Sequence, residues 1–400
     1  MVIKVNSRVD RLGDYPFSQL RELLDGLSPP SGMEPLILST GEPQQSPAQI
    51  ARSVEAHRAD WWRYPSLDGT ERFRQAVVGW CHRRFGIVPE LLAKPRCILP
   101  VAGTREALFL FAQTIVPEPT WEQGVQRPMV VVPNPHYAGY PGAAIMAGAE
   151  PIFLAGAGRR NSFPDLSSLS PETLDRVVLA YICSPSNPIG EAATLDYLIE
   201  MISVARRYDI VLVIDECAID LYNGDPVPGC LQACEAIGHG LDNVVVFQSL
   251  SKRSSAAGLR SGAVIGDPGL LHRFWEVRCF GGATLPVPVL AASADLWDDD
   301  THVAETRAMI GARFDIAERL LKGRFAFFRP DAGFFLWLNV GDGEAAARRL
   351  WQDAALHVMP GAYLARDAGD GNPCEAFIRI ALVHELSIIE GALRRLTEVL

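Results

Sequence analysis

The sequence has few lysines and no long apolar run. Four lysines occur in 400 residues, at positions 4, 94, 252 and 322, so a reaction that needs a covalent lysine has few candidates. No apolar run reaches the roughly 18 residues that a membrane-spanning helix needs. Met1–Asp10 also has no apolar core of the kind found in signal peptides. We therefore expect a cytoplasmic protein with no membrane segment.

Clusters of cations and paired cysteine motifs are absent as well. The chain has 37 lysines and arginines against 47 aspartates and glutamates, a formal net charge of −10, which argues against nucleic acid as a partner. Small anionic ligands remain possible because a local pocket can oppose the net charge. None of the eight cysteines forms a Cys-x-x-Cys pair, so we expect reduced thiols and no metal site.

Short apolar runs rich in valine and isoleucine alternate with segments of helix length. The predicted strands are Met129–Pro133, Val177–Cys183, Ile210–Ile214 and Val244–Phe247, and Leu195–Tyr208 is a predicted helix. Continuous apolar runs are typical of strands buried on both faces. The pattern therefore predicts an α/β fold with a mostly parallel sheet covered by helices on both faces.

The C-terminal part of the chain has a different pattern. A helical stretch at Asp300–Lys322 precedes the apolar run Gly333–Val340, and a further helix is expected at Glu344–Ala355. Phe377–Val383 is a predicted strand and Leu386–Leu400 a closing helix. We expect a large domain at residues 51–290 and a smaller domain made of residues 1–50 and 291–400.

Lys252 follows the apolar strand Val244–Phe247 by five residues, and Ser249 and Arg260 flank it. A lysine at the carboxyl end of a strand lies where α/β proteins bind ligands. Partial desolvation lowers the pKa of such a lysine and makes it a nucleophile towards an aldehyde. Arg260 could clamp a phosphate and Ser249 could add a hydroxyl. A solvent-exposed loop lysine is the alternative.

Two polar residues follow neighbouring apolar runs. Asp215 comes directly after Ile210–Ile214, and Asn187 follows Val177–Cys183 between two prolines. A buried carboxylate needs a cation or a donor, and a cofactor with a protonated pyridine nitrogen would supply one and act as an electron sink. The Asn187 amide would donate to a phenolate oxygen of that cofactor. Taken alone, Asp215 also fits a helix cap and Asn187 an Asn-Pro turn.

A third group of residues suits a phosphate and an aromatic ring. Gly103 lets the backbone approach a ligand closely, and Thr104 and Arg105 open the helical run Glu106–Thr114. Free N–H groups and the dipole at a helix N-terminus favour a phosphate. Tyr137 follows a predicted strand and could stack on a pyridine ring. An ordinary capped helix and ordinary loop packing are the alternatives.

Arg379 interrupts the apolar strand Phe377–Val383. A guanidinium in that setting needs an anionic partner, and the α-carboxylate of an amino acid fits its fork of donors. A buried structural ion pair is the alternative.

The order and spacing of Asn187, Asp215, Lys252, Arg260 and Arg379 resemble those of class I and II aminotransferases, and the resemblance covers nearly the whole chain. It implies fold type I, in which a large domain with a mostly parallel mixed sheet binds pyridoxal 5′-phosphate (PLP) beside a smaller α+β domain. It also implies that Lys252 holds PLP as a Schiff base. The other four would contact the phenolate oxygen, the ring nitrogen, the phosphate and the substrate α-carboxylate, in that order.

Two further segments are similar to family motifs. Ser39–Pro43 resembles the N-terminal glycine segment that lies near the substrate, which implies a substrate contact at Gly41. Tyr64, in Tyr64–Gly69, resembles the tyrosine that reaches the phosphate of the neighbouring subunit. This likeness implies a homodimer with shared active sites.

Within the family, Leu99–Phe109 and Ser249–Ser254 are most similar to N-succinyldiaminopimelate aminotransferases. That likeness implies transfer of an amino group between glutamate and a succinylated keto acid. One departure stands out, because Ala218 occupies the position where the family usually has a tyrosine that hydrogen-bonds the phenolate oxygen. The alternative function is therefore a divergent PLP enzyme that carries out elimination, γ-replacement, cyclisation or oxidation on an amino acid.

Overall fold

The short apolar runs form strands, and the segments between them form helices, in a computed structural model that describes residues 5–44, 47–118, 126–155, 163–367, 369 and 371–400. The strands of these residues are β1 (Leu36–Ile37), β2 (Ile98–Val101), β3 (Met129–Asn134), β4 (Glu150–Ala155), β5 (Val177–Cys183), β6 (Val211–Asp215), β7 (Val244–Ser249), β8 (Gly262–Gly266), β9 (Phe335–Asn339), β10 (Leu356–His357), β11 (Met359–Pro360) and β12 (Phe377–Ala381).

The α-helices of the same residues are α1 (Pro16–Leu23), α2 (Gln49–Ala56), α3 (Glu71–Phe85), α4 (Thr104–Ile115), α5 (Gly139–Ala147), α6 (Pro171–Leu174), α7 (Leu195–Arg207), α8 (Cys230–Ile237), α9 (Leu250–Arg253), α10 (Pro268–Phe280), α11 (Val287–Asp298), α12 (Thr301–Leu321), α13 (Gly343–Ala354) and α14 (Leu386–Val399). α7 illustrates why they form. Thr194 caps it by accepting the Tyr197 N–H, and its apolar residues recur at helical spacing on the buried face.

Seven strands form the larger sheet, in the order β2-β8-β7-β6-β5-β3-β4. The strands β4, β3, β5, β6 and β7 run parallel, whereas β8 is antiparallel to both β7 and β2. Alternate side chains enter two separate apolar clusters: Leu212 and Ile214 face one, and Val211 and Val213 face the other. Helices cover both faces, so the predicted α/β fold with a mostly parallel mixed sheet is confirmed.

A third apolar cluster contains residues from both ends of the chain. β11, β12 and β9 form a three-stranded antiparallel sheet, and β1 pairs with β10 in parallel. Residues of α1, α12, α13 and α14 pack on these strands in one core. α11 crosses the expected boundary at residue 290 and packs in the core of the large sheet. The division into 1–50, 51–290 and 291–400 stays a prediction, and residues 1–4 and 45–46 of its first segment lie outside the described residues.

No helix in the described part of the chain combines the length and the apolar character that a membrane span requires.

Candidate active site

The polar residues singled out in the sequence gather at one edge of the large sheet. β3, β5, β6 and β7 are parallel neighbours, so their carboxyl ends meet at that edge. β2 points the same way, because it and β7 are both antiparallel to β8. Tyr137, Asn187, Asp215 and Lys252 each lie at or just beyond the end of one of these strands, and Gly103 follows β2. This is the edge at which open α/β sheets bind ligands.

Lys252 lies in the short helix α9 that follows β7. Ser249 caps this helix, because its hydroxyl accepts the Ser251 N–H at 3.1 Å. The Lys252 Nζ donates to the Gly41 carbonyl and lies 5.3 Å from the centre of the Phe334 ring. Burial is the largest influence on this amine and lowers its pKa from 10.5 to about 8. The lysine is therefore a partly buried amine and does not fit the exposed-loop alternative.

Gly41 permits this close approach to Lys252. A Cβ at this position would lie 2.6 Å from ring atoms of both Phe334 and Phe335. A larger residue would have to move one of these rings or withdraw the carbonyl from the lysine.

Asp215 ends β6 as a buried carboxylate without a cationic partner. It is 8% exposed, and its oxygens accept the Tyr140 hydroxyl at 2.6 Å and the Cys217 N–H at 3.2 Å. Burial, followed by the charge of Asp215, raises the pKa of Tyr140 well above its usual value, so this hydroxyl stays a donor. Among the described residues Asp215 forms no ion pair, a costly arrangement unless a cation arrives. The protonated ring nitrogen of PLP fits that need.

Gly103 and Arg260 form a cradle beside the N-terminus of α4. Gly103 has φ of +83°, and a Cβ there would collide with the Arg260 guanidinium. Arg260 is exposed, donates to the Ala257 carbonyl at 2.9 Å and has no carboxylate partner in the described residues. The first N–H groups of a helix lack partners within it. A guanidinium beside such a helix start fits the phosphate of PLP.

Thr104 and Arg105 link this cradle to the rest of the site. The Thr104 hydroxyl lies 3.1 Å from the Cys217 sulfur, next to Asp215. The Arg105 Nε donates to the Tyr137 hydroxyl at 2.6 Å, and the Tyr137 ring meets Tyr140 edge to face at 5.4 Å. Thr104 and Arg105 are thus linked through Cys217, Tyr137 and Tyr140 to Asp215 in one connected group.

Arg379 is 5% exposed, yet it has no acidic partner in the described residues. Its Nη1 donates to Asn187 Oδ1 at 3.1 Å, its Nη2 donates to the Ser39 carbonyl at 2.8 Å, and its Nε has no hydrogen-bond partner. The Phe335 ring lies 4.3 Å from the guanidinium carbon. Burial lowers the pKa of Arg379 to about 10, so it remains charged at neutral pH. This geometry is not that of a buried structural ion pair.

Tyr64 is the one proposed site residue that stays apart from the others. Its side chain is fully exposed, and Trp62 and Phe280 are strongly exposed too. Within a single chain, Tyr64 therefore does not contribute to this site.

Three neighbours of the site did not stand out in the sequence: Tyr140, Cys217 and Phe334. Tyr140 lies in the same segment as Tyr137, and Cys217 lies two residues after Asp215, so proximity along the chain was an available signal. No feature of the sequence pointed to Phe334. Tyr181 and Tyr222, which could have replaced the tyrosine missing at Ala218, have other contacts. Tyr181 donates to the Leu108 carbonyl, and the Tyr222 ring packs on arginines.

No group of three or more His, Cys, Asp or Glu side chains in the described ranges is placed to hold a metal ion.

Comparison with known proteins places this site in a family context. Residues 34–396 match the family model described as "Aminotransferase class I and II". The chain is 31% identical, over 90% of its length and 92% of the relative, to 4-dedimethylamino-4-oxo-anhydrotetracycline transaminase of Streptomyces rimosus. It is 28% identical to the LL-diaminopimelate aminotransferase of Syntrophobacter fumaroxidans, over 97% of both chains.

Solved structures give the same result. An aminotransferase from Neisseria meningitidis is 37% identical and superimposes with a TM-score of 0.91, over 98% of this chain and 99% of that one. The family model alone spans most of the chain. The chain therefore belongs to the class I and II aminotransferases, which are PLP-dependent transferases.

Proposed function

We propose that this enzyme moves an amino group from an amino acid donor, glutamate, to a keto acid of the succinyldiaminopimelate type. The observation that carries this proposal is the buried, unpaired guanidinium of Arg379 beside Asn187. An α-carboxylate accepts two hydrogen bonds from such a fork and supplies the missing negative charge. Arg379 would hold the α-carboxylate of donor and acceptor in turn.

The remaining residues are proposed to hold the cofactor. Asp215 would pair with the ring nitrogen, Asn187 would donate its amide to the phenolate oxygen, and Tyr137 would cover the ring. The phosphate would lie in the cradle made by Gly103, Thr104, Arg105, Ser249 and Arg260. When bound, PLP supplies the electron sink that stabilises negative charge at the substrate Cα.

Lys252 is proposed as the residue that binds the cofactor covalently and then moves the proton of the substrate. Its pKa of about 8 leaves part of the amine neutral near physiological pH. A neutral Nζ can accept the proton from the substrate Cα and return it, which is general base and acid work. Gly41 and Phe334 cover the amine on one side and limit the access of water.

The relatives support amino transfer but are named for different compounds. One is named for diaminopimelate and another for an oxo-anhydrotetracycline. The first favours an amino acid with a second polar end, in line with the succinyldiaminopimelate type. Both names describe transamination, so we prefer it over elimination, γ-replacement, cyclisation or oxidation, the alternatives suggested by Ala218.

A homodimer with shared active sites is part of the proposal. Tyr64 is fully exposed, and Trp61, Trp62 and Phe280 present further aromatic surface. Exposed aromatic side chains such as these suit a protein interface. In the dimer, Tyr64 would reach the phosphate bound by the neighbouring chain. Tyr64→Phe should leave the dimer intact in sedimentation but weaken PLP binding, whereas equal PLP binding would contradict this role.

The experiment that tests the function is the visible absorption spectrum of the PLP-loaded protein during addition of L-glutamate. The proposal predicts loss of the visible band, its return when a keto acid is added, and many turnovers when both are present. A band that persists with glutamate but responds to another amino acid would reject glutamate as donor. A protein that cannot take up PLP, or that loses the amino acid by elimination, would overturn the proposed function.

A further inference from the structure

A chain of three side chains leads from the end of α9, two residues after Lys252, to the start of α12. The Ser254 hydroxyl lies 2.8 Å from Nε2 of His302, and Nδ1 of the same ring lies 3.0 Å from a carboxylate oxygen of Asp299. Serine, histidine and aspartate are joined in the same order in serine hydrolases. Ser254 is fully buried, so its oxygen does not face a substrate and the chain is not a hydrolytic site.

The ionised carboxylate sets the direction of both hydrogen bonds. Although burial acts the other way, hydrogen bonds from the Thr301 N–H and from His302 hold the pKa of Asp299 below its usual value, so this carboxylate only accepts. Burial lowers the pKa of His302, against the attraction of Asp299, and keeps the ring neutral at pH 7. The one ring proton therefore lies on Nδ1, and the Ser254 hydroxyl donates to the bare Nε2.

The ends of α9 decide where Lys252 lies, because this helix is a single turn. Ser249 caps its start with a side-chain hydrogen bond. At its end, the Ser254 N–H donates to the Leu250 carbonyl at 3.0 Å, while the Ser254 side chain is bonded to His302. One turn of helix has too few internal hydrogen bonds to be stable alone. The side-chain contacts at its two ends therefore fix its position.

Both residues that follow the reacting lysine are bonded to the junction of α11 and α12. Arg253 donates to the Leu296 carbonyl and to the Asp300 carboxylate, each at 2.6 Å. Ser254 contacts His302 on the first turn of α12. Arg253 also belongs to a buried ion pair, so its removal would disturb the surrounding core. The hydrogen bond between Ser254 and His302 can be removed by a smaller change.

We propose that His302 is a positioning residue for Lys252. Through the Ser254 hydroxyl it holds the end of α9, so that the lysine amine stays in its partly buried position. Asp299 acts one step further away, by fixing the ring proton on Nδ1. The inference rests on the proposed function, in which Lys252 binds the cofactor and moves the substrate proton. It adds the residues that hold this lysine in place.

The scarcity of lysine allows a direct test on the full-length chain without PLP. Competitive labelling with acetic anhydride, read by mass spectrometry, gives the pH midpoint of each amine, with the exposed Lys94 and Lys322 as internal references. In the wild-type protein the midpoint of Lys252 should lie near its pKa of about 8. In His302→Asn it should rise to about 9 or above, because water reaches the released amine, and labelling at pH 8 should slow about fivefold. An unchanged midpoint in folded His302→Asn would overturn the proposal.

Two substitutions of His302 separate positioning from a merely structural role. The terminal amide of glutamine lies where Nε2 lies, so His302→Gln still accepts from Ser254 and should keep the Lys252 midpoint near that of the wild-type protein. The amide of asparagine matches Nδ1, so His302→Asn keeps only the contact with Asp299. Each variant loses one hydrogen bond of the chain. Equal midpoints of Lys252 in the two variants would contradict the proposal.

Ser254→Ala removes the same hydrogen bond from the other side. It should raise the Lys252 midpoint as much as His302→Asn does. The double variant should raise it no further, since either change alone removes the link. Thermal melting shows whether each variant is folded, and Ser254→Ala decides the question if His302→Asn does not fold. Additive shifts would mean that the two residues act separately, which would contradict the proposal.

The PLP-loaded protein separates this inference from the proposed function. Borohydride reduction and peptide mass spectrometry identify the lysine that carries PLP. If that lysine is not Lys252, the proposed function of Lys252 fails, while the labelling still decides whether His302 positions its amine. If it is Lys252, the limiting rate of the half-reaction with L-glutamate should fall about fivefold at pH 8 in His302→Asn. The half-saturating glutamate concentration should not change, and a change confined to that concentration would contradict the proposal.

Discussion

Lys252 and Arg253 are adjacent in the chain, but Arg253 lies among carboxylates and Lys252 does not. Arg253 is buried with Asp220: its Nε lies 2.8 Å from an Asp220 oxygen, although that N–H is not aligned for a hydrogen bond, and its Nη2 donates to Asp300. Asp220 also accepts from Arg84 and from the Trp80 indole. Lys252 faces the other way, donates to a backbone carbonyl and forms no ion pair with any described residue. The charges around Asp220 are paired, whereas the charges of the candidate site have no ion-pair partner among the described residues.

The same contrast applies to the rest of the site. Asp215, Arg260 and Arg379 form no ion pair with any described residue, and the first and the last of these are buried. A buried charge without a partner costs free energy. The protein keeps these costs at one edge of the large sheet, where a cofactor and a substrate would offset them.

Loss of the Lys252 amine gives the largest expected effect on activity. Lys252→Ala should slow amino transfer by about 10²–10⁴-fold, the usual contribution of a positioned acid–base group, or more because covalent attachment is lost too. Its free energy of unfolding should not fall, since the amine is destabilised by burial. Stopped-flow absorbance and chemical denaturation measure the two quantities. Lys322→Ala, at an exposed lysine, is the control, and a large loss of stability in Lys252→Ala would contradict this account.

Loss of the Asp220 carboxylate, which pairs with Arg84 and Arg253, should instead lower the stability of the fold. Asp220→Ala leaves Arg84 and Arg253 buried without their shared carboxylate, so we expect the free energy of unfolding to fall by about 3–5 kcal/mol. Denaturant titration measures this loss. Asp315→Asn, which removes an exposed partner of Arg329, should have little effect. If Asp220→Ala were as stable as the wild-type protein, the ion pairs of Asp220 would not stabilise the fold.

A substitution at Gly103, in the proposed phosphate site, should have a smaller effect. Gly103→Ala places a methyl group against the Arg260 guanidinium at φ of +83°. At φ of +83° and ψ of 153° the backbone lies in a region that essentially only glycine adopts, at a cost of about 1–3 kcal/mol for other residues. The methyl group would also displace the Arg260 guanidinium, so PLP affinity should fall roughly tenfold. Gly258→Ala is the matched control, since a Cβ there has open space. Fluorescence titration with PLP compares them, and equal affinities would remove Gly103 from the cradle.

A dependence of PLP uptake on pH should be of about the same size. Because burial lowers the pKa of Lys252 to about 8, the amine is protonated below that value and neutral above it. Its neutral fraction rises from about one tenth at pH 7 to about nine tenths at pH 9. The rate at which the apo-protein takes up PLP should follow this increase of about tenfold. A midpoint near 10.5 would mean that the amine is not desolvated.

The fold was largely predictable because buried strands have continuous apolar sequences. Val177–Cys183 has the predicted bounds, and α7 ends one residue before the predicted end. β6 begins and ends one residue later than predicted and includes Asp215. The reason is that the backbone of Asp215 still pairs with Cys183 on one side and with Phe247 on the other. Apolar pattern alone does not show where pairing stops.

The partners within the site were not predictable. Tyr140 donates to Asp215 across 75 residues of sequence, and Thr104 meets Cys217 across 113. Such contacts depend on the order of the strands in the sheet. What the sequence did indicate was the set of polar residues at strand ends.

The most direct test of the central claim is the absorbance titration of PLP-loaded Arg379→Gln with L-glutamate beside the wild-type protein. The account predicts that the wild-type band is lost on titration and that the variant needs at least about tenfold more glutamate, because a charge-assisted hydrogen bond to the substrate is gone. If both proteins lose the band at the same glutamate concentration, Arg379 does not hold the α-carboxylate and the proposed function loses its main support.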